Sequence, residues 1–149
     1  MGLEQWLANS WIKPVRRSAQ DVADLLAIGD REIGDGSLEG ISTDGRFVHA
    51  YDAVRSLAEA ALHASGYAVP KGQRKHERLI ESLRFTLSGD VARDVDFFDQ
   101  CRRLRHKTVY ERVGVLRQRD ADELLEAAKD LRNRVRQWLR DSHPDLVSM

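Results

Sequence analysis

The amino-acid sequence predicts an all-α protein, an antiparallel up-and-down bundle of four to five helices. Two observations carry this. Apolar residues recur at steps of three and four along almost the whole chain, the spacing of a single helix face. No alternating strand pattern, internal repeat or low-complexity run competes with that period.

A leader over residues 1–13 holds Leu3, Trp6, Leu7 and Trp11, and is expected as a short helical turn whose indoles close one end of the bundle. Val15, Ala19, Val22 and Leu26, with Leu25 beside them, predict a helix from just after Pro14 to about Ile33. The stretch from Gly34 to Ser42 (GDGSLEGIS) holds three glycines and reads as a loop. From Asp44 to Gly66 the residues Phe47, Tyr51, Val54, Ala58 and Ala61 form a stripe that Ala50, Leu57 and Leu62 widen. Thr43 or Asp44 can cap its start, and Gly66 supplies a left-handed stop before Pro70.

After the loop GYAVPKGQ, the residues Leu79, Ile80, Leu83 and Leu87 mark a short helix that stops near Gly89. Val91, Val95, Phe98, Cys101 and Leu104 predict the next, running to about Tyr110 and broken by Gly114. The last helix carries a capping box, Asp120 with Glu123. Its face is Ala121, Leu124, Ala128, Leu131, Val135 and Trp138, and it ends near His143-Pro144. One domain over residues 1–149 accommodates all of these elements.

Lys and Arg number 24, as do Asp and Glu, so the formal charge is zero. That balance argues against a chain coated uniformly in basic residues for nucleic acid. Charged residues at 32% and apolar ones at 42% suit a soluble chain with a real core. No apolar run is long enough for a membrane span, and no signal peptide is visible. The lone Cys101 excludes a disulfide framework and fits the cytoplasm, the expected location.

The neutral total hides a local asymmetry. Residues 102–119 hold seven Lys/Arg against one Glu, while residues 90–99 hold four Asp against one Arg. Acid at a helix start and base at its end complement the helix dipole. One or two cations suffice for that, and seven within eighteen residues point to a surface that meets phosphate or an acidic partner. Arg102, Arg103, Arg105, Lys107 and Arg112 are the candidate nucleic-acid contacts.

Arg105 is the most informative of them, because the row Phe98, Cys101, Arg105, Thr108 puts it on or beside the apolar seam. A charge there must find a carboxylate or a polar cleft, and Asp52, in AYDA, is the candidate partner. Arg102 or Arg103, His106 and Tyr110 share the neighbouring face, a combination able to grip a phosphodiester. The competing expectation is a solvated basic face with Tyr110 tucked into the core edge.

Other chemistry is set aside. His49 and His63 sit in one helix roughly 21 Å apart and cannot share a metal. His76 lies among Arg74, Lys75 and Arg78, an unfavourable setting for a ligand. No phosphate-binding glycine loop, dinucleotide turn, zinc-protease motif or nucleophile elbow occurs. Cys101 falls on a buried row and reads as core. No metal and no cofactor is expected.

Three stretches, TDGRFVHAYDAVRSLAEAALHASGY (43–67), CRRLRHKTVYER (101–112) and ADELLEAAKDLRNRVRQWLRDSHPDL (121–146), resemble the HEPN domain superfamily. These are small helical bundles of toxin–antitoxin, defence and RNA-processing systems, and the likeness runs from about Ser18 to Leu146. It implies a four- to five-helix bundle that pairs as a homodimer. In active members an Arg, a polar residue and, after several positions, a His form an Arg-x(4–6)-His site. Two copies face each other across the dimer cleft and cut RNA without a metal.

Arg105 matches the Arg and His106 the polar residue, so the His belongs at position 110, 111 or 112. This sequence has Tyr110, Glu111 and Arg112 there, the Arg-polar-x-x-x-Tyr pattern of one bacterial branch. A phenol near pKa 10 is a poor general base at neutral pH.

Three functions remain open. The favoured one is a toxin–antitoxin or defence-associated module that binds RNA or a partner protein at the dimer cleft without cleavage. The partner would be a cognate antitoxin or a nucleotidyltransferase-type protein. The second is a metal-independent endoribonuclease using Arg105 with His106 or Tyr110. The third is a dimeric scaffold in which Arg105 only makes an ion pair.

Overall fold

Two serine hydroxyls set the starts of the helices that build the centre of the molecule. Ser18 Oγ accepts from the Asp21 N–H at 3.1 Å and opens one; Ser42 Oγ accepts from the Gly45 N–H at 3.0 Å and opens the other. The structure is a computed structural model that describes residues 2–72, 74–110 and 116–147, with side chains described as far as His106 in the fifth helix. Among these residues the elements are α1 (Leu3–Ala8), β1 (Lys13–Pro14), α2 (Ala19–Gly36), α3 (Thr43–Ala64) and β2 (Tyr67–Ala68). Next come α4 (Lys75–Thr86), α5 (Val91–Tyr110), α6 (Gln118–Ser142) and a 3-10 turn (Pro144–Leu146). The fold is an all-α helical bundle, with six α-helices described.

Side-chain and close contacts give the helix directions. Gly29 lies against Leu57 and Gly36 against His49, so α2 and α3 run antiparallel. Thr43 bonds Gln118 and Arg46 bonds Asp122 at the starts of α3 and α6, while the far ends meet where Arg17 joins the Ala64 carbonyl to His143. α3 and α6 therefore point the same way. Arg134 holds Asp90 and Asp94 at the start of α5, which returns antiparallel to α6.

The helix α3 is the axis of the bundle, packed against α2, α4, α5 and α6. Twelve of its residues are buried, six of them alanines, so its neighbours approach closely. At its end Gly66 takes φ +96°, the left-handed conformation expected of a helix stop. Among the described residues the buried side chains form one apolar cluster.

Several boundaries differ from the sequence expectation, each for a local reason. The first long helix starts at Ala19, because Lys13 and Pro14 pair antiparallel with Ala68 and Tyr67 in a two-residue bridge. It continues through Gly34 to Gly36, where the sequence suggests a loop. A Cβ on Gly36 would lie 3.1 Å from the Cβ of His49, so this glycine serves close helix contact rather than a turn.

Ser42, not Thr43 or Asp44, caps α3. α6 opens at Gln118, and Asp120 sits inside its first turn, accepting from the Arg117 N–H at 3.0 Å. The leader helix is confined to Leu3–Ala8, where Trp6 is buried with its ring centroid 5.8 Å from Trp11 and 5.3 Å from Phe85. Gly114 lies outside the described residues. None of the described helices is long and apolar enough to cross a membrane.

The Ser42 cap gives a direct check on α3. Ser42→Ala is expected to cost about 1 kcal/mol, lowering the melting temperature by a few degrees in a thermal scan.

Candidate functional site

The helices α3, α4 and α5 border an open groove of about 500 Å³. Tyr51 lines it from α3, His76 and Glu77 from α4, and Arg102, Arg105 and His106 from α5. The helical period explains the α5 contribution. Phe98 and Cys101 turn into the core, and Arg102 and Arg105, three residues apart, come out beside that seam. Tyr51 and Arg55 share a face of α3 one turn apart.

Arg105 Nη2 lies 3.3 Å from Asp52 Oδ1, and the guanidinium carbon stands 5.2 Å from the centre of the Tyr51 ring. The sequence reading and the structure thus agree on which carboxylate stands beside Arg105. The contact is an ion pair without hydrogen-bond geometry, for Asp52 Oδ1 has no hydrogen-bond partner. Arg102 Nε donates to Asp99 Oδ1 at 3.0 Å, and Arg103 Nη2 to Asp99 Oδ2 at 2.6 Å. Arg103 is exposed and is not part of the groove lining. His106 is exposed at its rim. The side chains of Lys107 and Tyr110, and residue Arg112, lie outside the described residues.

Six buried side-chain polar atoms among the described residues lack a hydrogen-bond partner, and four cluster here: Tyr51 Oη, Asp52 Oδ1, Arg55 Nε and Arg105 Nε. Each unpaired buried group costs on the order of 1–3 kcal/mol. Tyr51 and Arg105 line the groove, while Asp52 and Arg55 are not among its lining residues. Burial, opposed by the charges of Arg105, Arg102 and Arg55, holds the Tyr51 phenol above its ordinary pKa, so it remains a neutral donor.

Arg55 is the residue that sequence reasoning missed, and His76 one that it set aside as an unfavourable ligand. The His76 ring lies 6.0 Å from that of Tyr51. Burial, then the charges of Arg55, Arg105, Lys75 and Arg102, push its pKa down to about 4. The imidazole is neutral at pH 7, chiefly because it is buried, and the four cations around it add a positive potential. One signal was available: Asp52 and Arg55 interrupt the alanine-rich core face of α3.

Elsewhere the chemistry is quieter. Cys101 is buried, and burial followed by the charges of Asp120 and Glu123 pushes its thiol up to about 12, far from a nucleophile. His63 Nε2 accepts from the Ser18 N–H at 3.2 Å. Glu32, Asp35 and His49 place one potential ligand atom each within 4.8 Å of one another. In that trio His49 Nδ1 and Glu32 Oε2 are already joined at 2.6 Å.

Comparison with protein-family models, with curated proteins and with solved structures finds no match for this chain.

Proposed function

We propose that this groove binds the phosphodiester backbone of single-stranded RNA and holds it without cutting it, in a HEPN-like protein that pairs with a second copy. The observation that carries it is the pair of buried guanidinium Nε groups, on Arg55 and Arg105, that have no hydrogen-bond partner beside a groove of positive potential. Phosphate oxygens are the acceptors such N–H groups fit best, because charge-assisted bonds to guanidinium are short and strong. Asp52 stands 3.3 Å from Arg105 Nη2, and Asp99 Oδ1 accepts from Arg102 Nε at 3.0 Å, so each guanidinium has a carboxylate beside it. The resemblance implies binding without cleavage, since Tyr110, Glu111 and Arg112 occupy the positions where an active HEPN protein carries its proton-transferring His.

The test is fluorescence anisotropy on a labelled single-stranded RNA across a salt series. Two neutralised phosphates give a slope of log affinity against log salt of about −1.4. Arg55→Ala is expected to weaken binding about tenfold and to lower the slope by about 0.7. Absence of binding at low salt would overturn the proposal. RNA incubated with the protein and a chelator is expected to stay intact. A discrete cleavage pattern that vanishes in Arg105→Ala and His106→Ala would establish the ribonuclease instead. Light scattering is expected to give twice the chain mass of 17.0 kDa.

A further inference from the structure

We propose that anion binding in the groove is coupled to uptake of a proton by His76, so that the site holds RNA more tightly as the solution is acidified from pH 8 to pH 5. The inference rests on the RNA-binding function proposed above and names how that same site is regulated.

The geometry supplies the coupling. His76 opens the second residue of α4 and lines the groove opposite Arg102 and Arg105 of α5. α3 faces it with Tyr51 and Arg55, and with Asp52 standing behind Arg105. On its own helix it is flanked by Lys75, whose Nζ is 3.9 Å from Glu59 Oε1, and by Glu77. Burial depresses its proton affinity most, and four cations add to it: Arg55, Arg105, Lys75 and Arg102. Those carboxylates do not offset them, and the His76 pKa stays near 4.

A phosphodiester seated on Arg55 and Arg105 brings a full negative charge into the centre of this cluster. The cationic field at His76 is then partly offset, and an imidazolium gains a phosphate oxygen as acceptor, while the burial that lowers its pKa most is unchanged. Linkage fixes the sign. A group whose pKa rises on binding takes up a proton, and affinity climbs as pH falls from the pKa of the complex toward that of the free protein. A rise of about two units in the complex makes the affinity climb roughly tenfold between pH 8 and pH 5.

The experiment uses the full chain and a labelled oligouridylate, whose phosphodiesters and uracils keep their protonation states over that range. Anisotropy at constant ionic strength is read from pH 8 to pH 5 for the wild type, His76→Gln and His106→Gln. In parallel, the imidazole carbon–proton signals are titrated by NMR, with His76→Gln assigning the His76 resonance. The expected result is a tightening of about tenfold in the wild type and loss of most of it in His76→Gln, with His106→Gln measuring the share of the other groove imidazole. The His76 midpoint should lie near 4 in the free protein and about two units higher in the complex. Binding that is flat with pH, or whose pH dependence survives in His76→Gln, overturns the coupling and leaves RNA binding intact. No binding at any pH overturns both proposals.

Discussion

Arg105→Ala is expected to weaken RNA binding by at least tenfold, and by more than Arg55→Ala, because it removes two things at once. The first is a guanidinium whose Nε points at no protein acceptor; the loss of one charge-assisted bond is worth about 1.5–3 kcal/mol. The second is the countercharge of Asp52, whose Oδ1 would remain buried and become the nearest charge to any incoming phosphate. Repulsion then adds to lost attraction.

The same substitution should destabilise the fold modestly, by about 1–2 kcal/mol. The pair is partly exposed, and solvent screening reduces the penalty of an orphaned carboxylate. A double-mutant cycle with Asp52→Ala separates the two effects. The double variant should recover the lost stability and stay defective in RNA binding. Recovery of both would show that Arg105 is structural and would favour the scaffold function. Arg105→Lys keeps the charge and loses the planar fork, so it should bind RNA at an intermediate level.

Phe47→Ala is the largest expected loss of stability, about 3–5 kcal/mol. Phe47 is fully buried in the second turn of α3, the helix that every other long helix packs against. The alanines around it on α3 cannot extend to fill the space a phenyl ring leaves. The cavity therefore persists, which places the cost at the upper part of the range. A thermal scan should show the melting temperature falling by about 10 °C or more, and the denaturant midpoint should shift with an unchanged slope. A drop of under about 3 °C would mean that the centre of the bundle collapses to fill the gap.

The helices were legible in the sequence because burial follows the 3.6-residue period. Phe47, Tyr51, Val54, Ala58 and Ala61 are all fully buried, as their spacing predicts. Boundaries were less legible where a residue has two uses. Pro14 suits a helix start as well as an edge of extended backbone, and pairing with Tyr67 decides for the latter. Gly36 suits a loop as well as a close contact, and the nearness of His49 decides.

The groove was half legible. Arg105 stood out as a charge on an apolar row, and Asp52 as a carboxylate within a core helix. Arg55 carries the weaker mark of a second charge in that alanine-rich helix, and His76 carries none. Their meeting depends on how α4 docks across α3 and α5, and no periodicity within one segment encodes that.

The leader segment has a consequence for the groove. α4, whose first turn carries His76, is backed by the leader along its length: Arg78 stacks 4.9 Å from the Trp11 ring, and Phe85 meets Trp6 edge-on. The bridge between β1 and β2 secures the chain just before that turn. One wall of the groove is thus braced from behind before any ligand arrives. A ligand entering it orders little that was not already ordered, and the entropy lost on binding is correspondingly small. By this route the leader, none of whose described residues lines the α3–α4–α5 groove, would raise the affinity of the proposed RNA site through preorganisation.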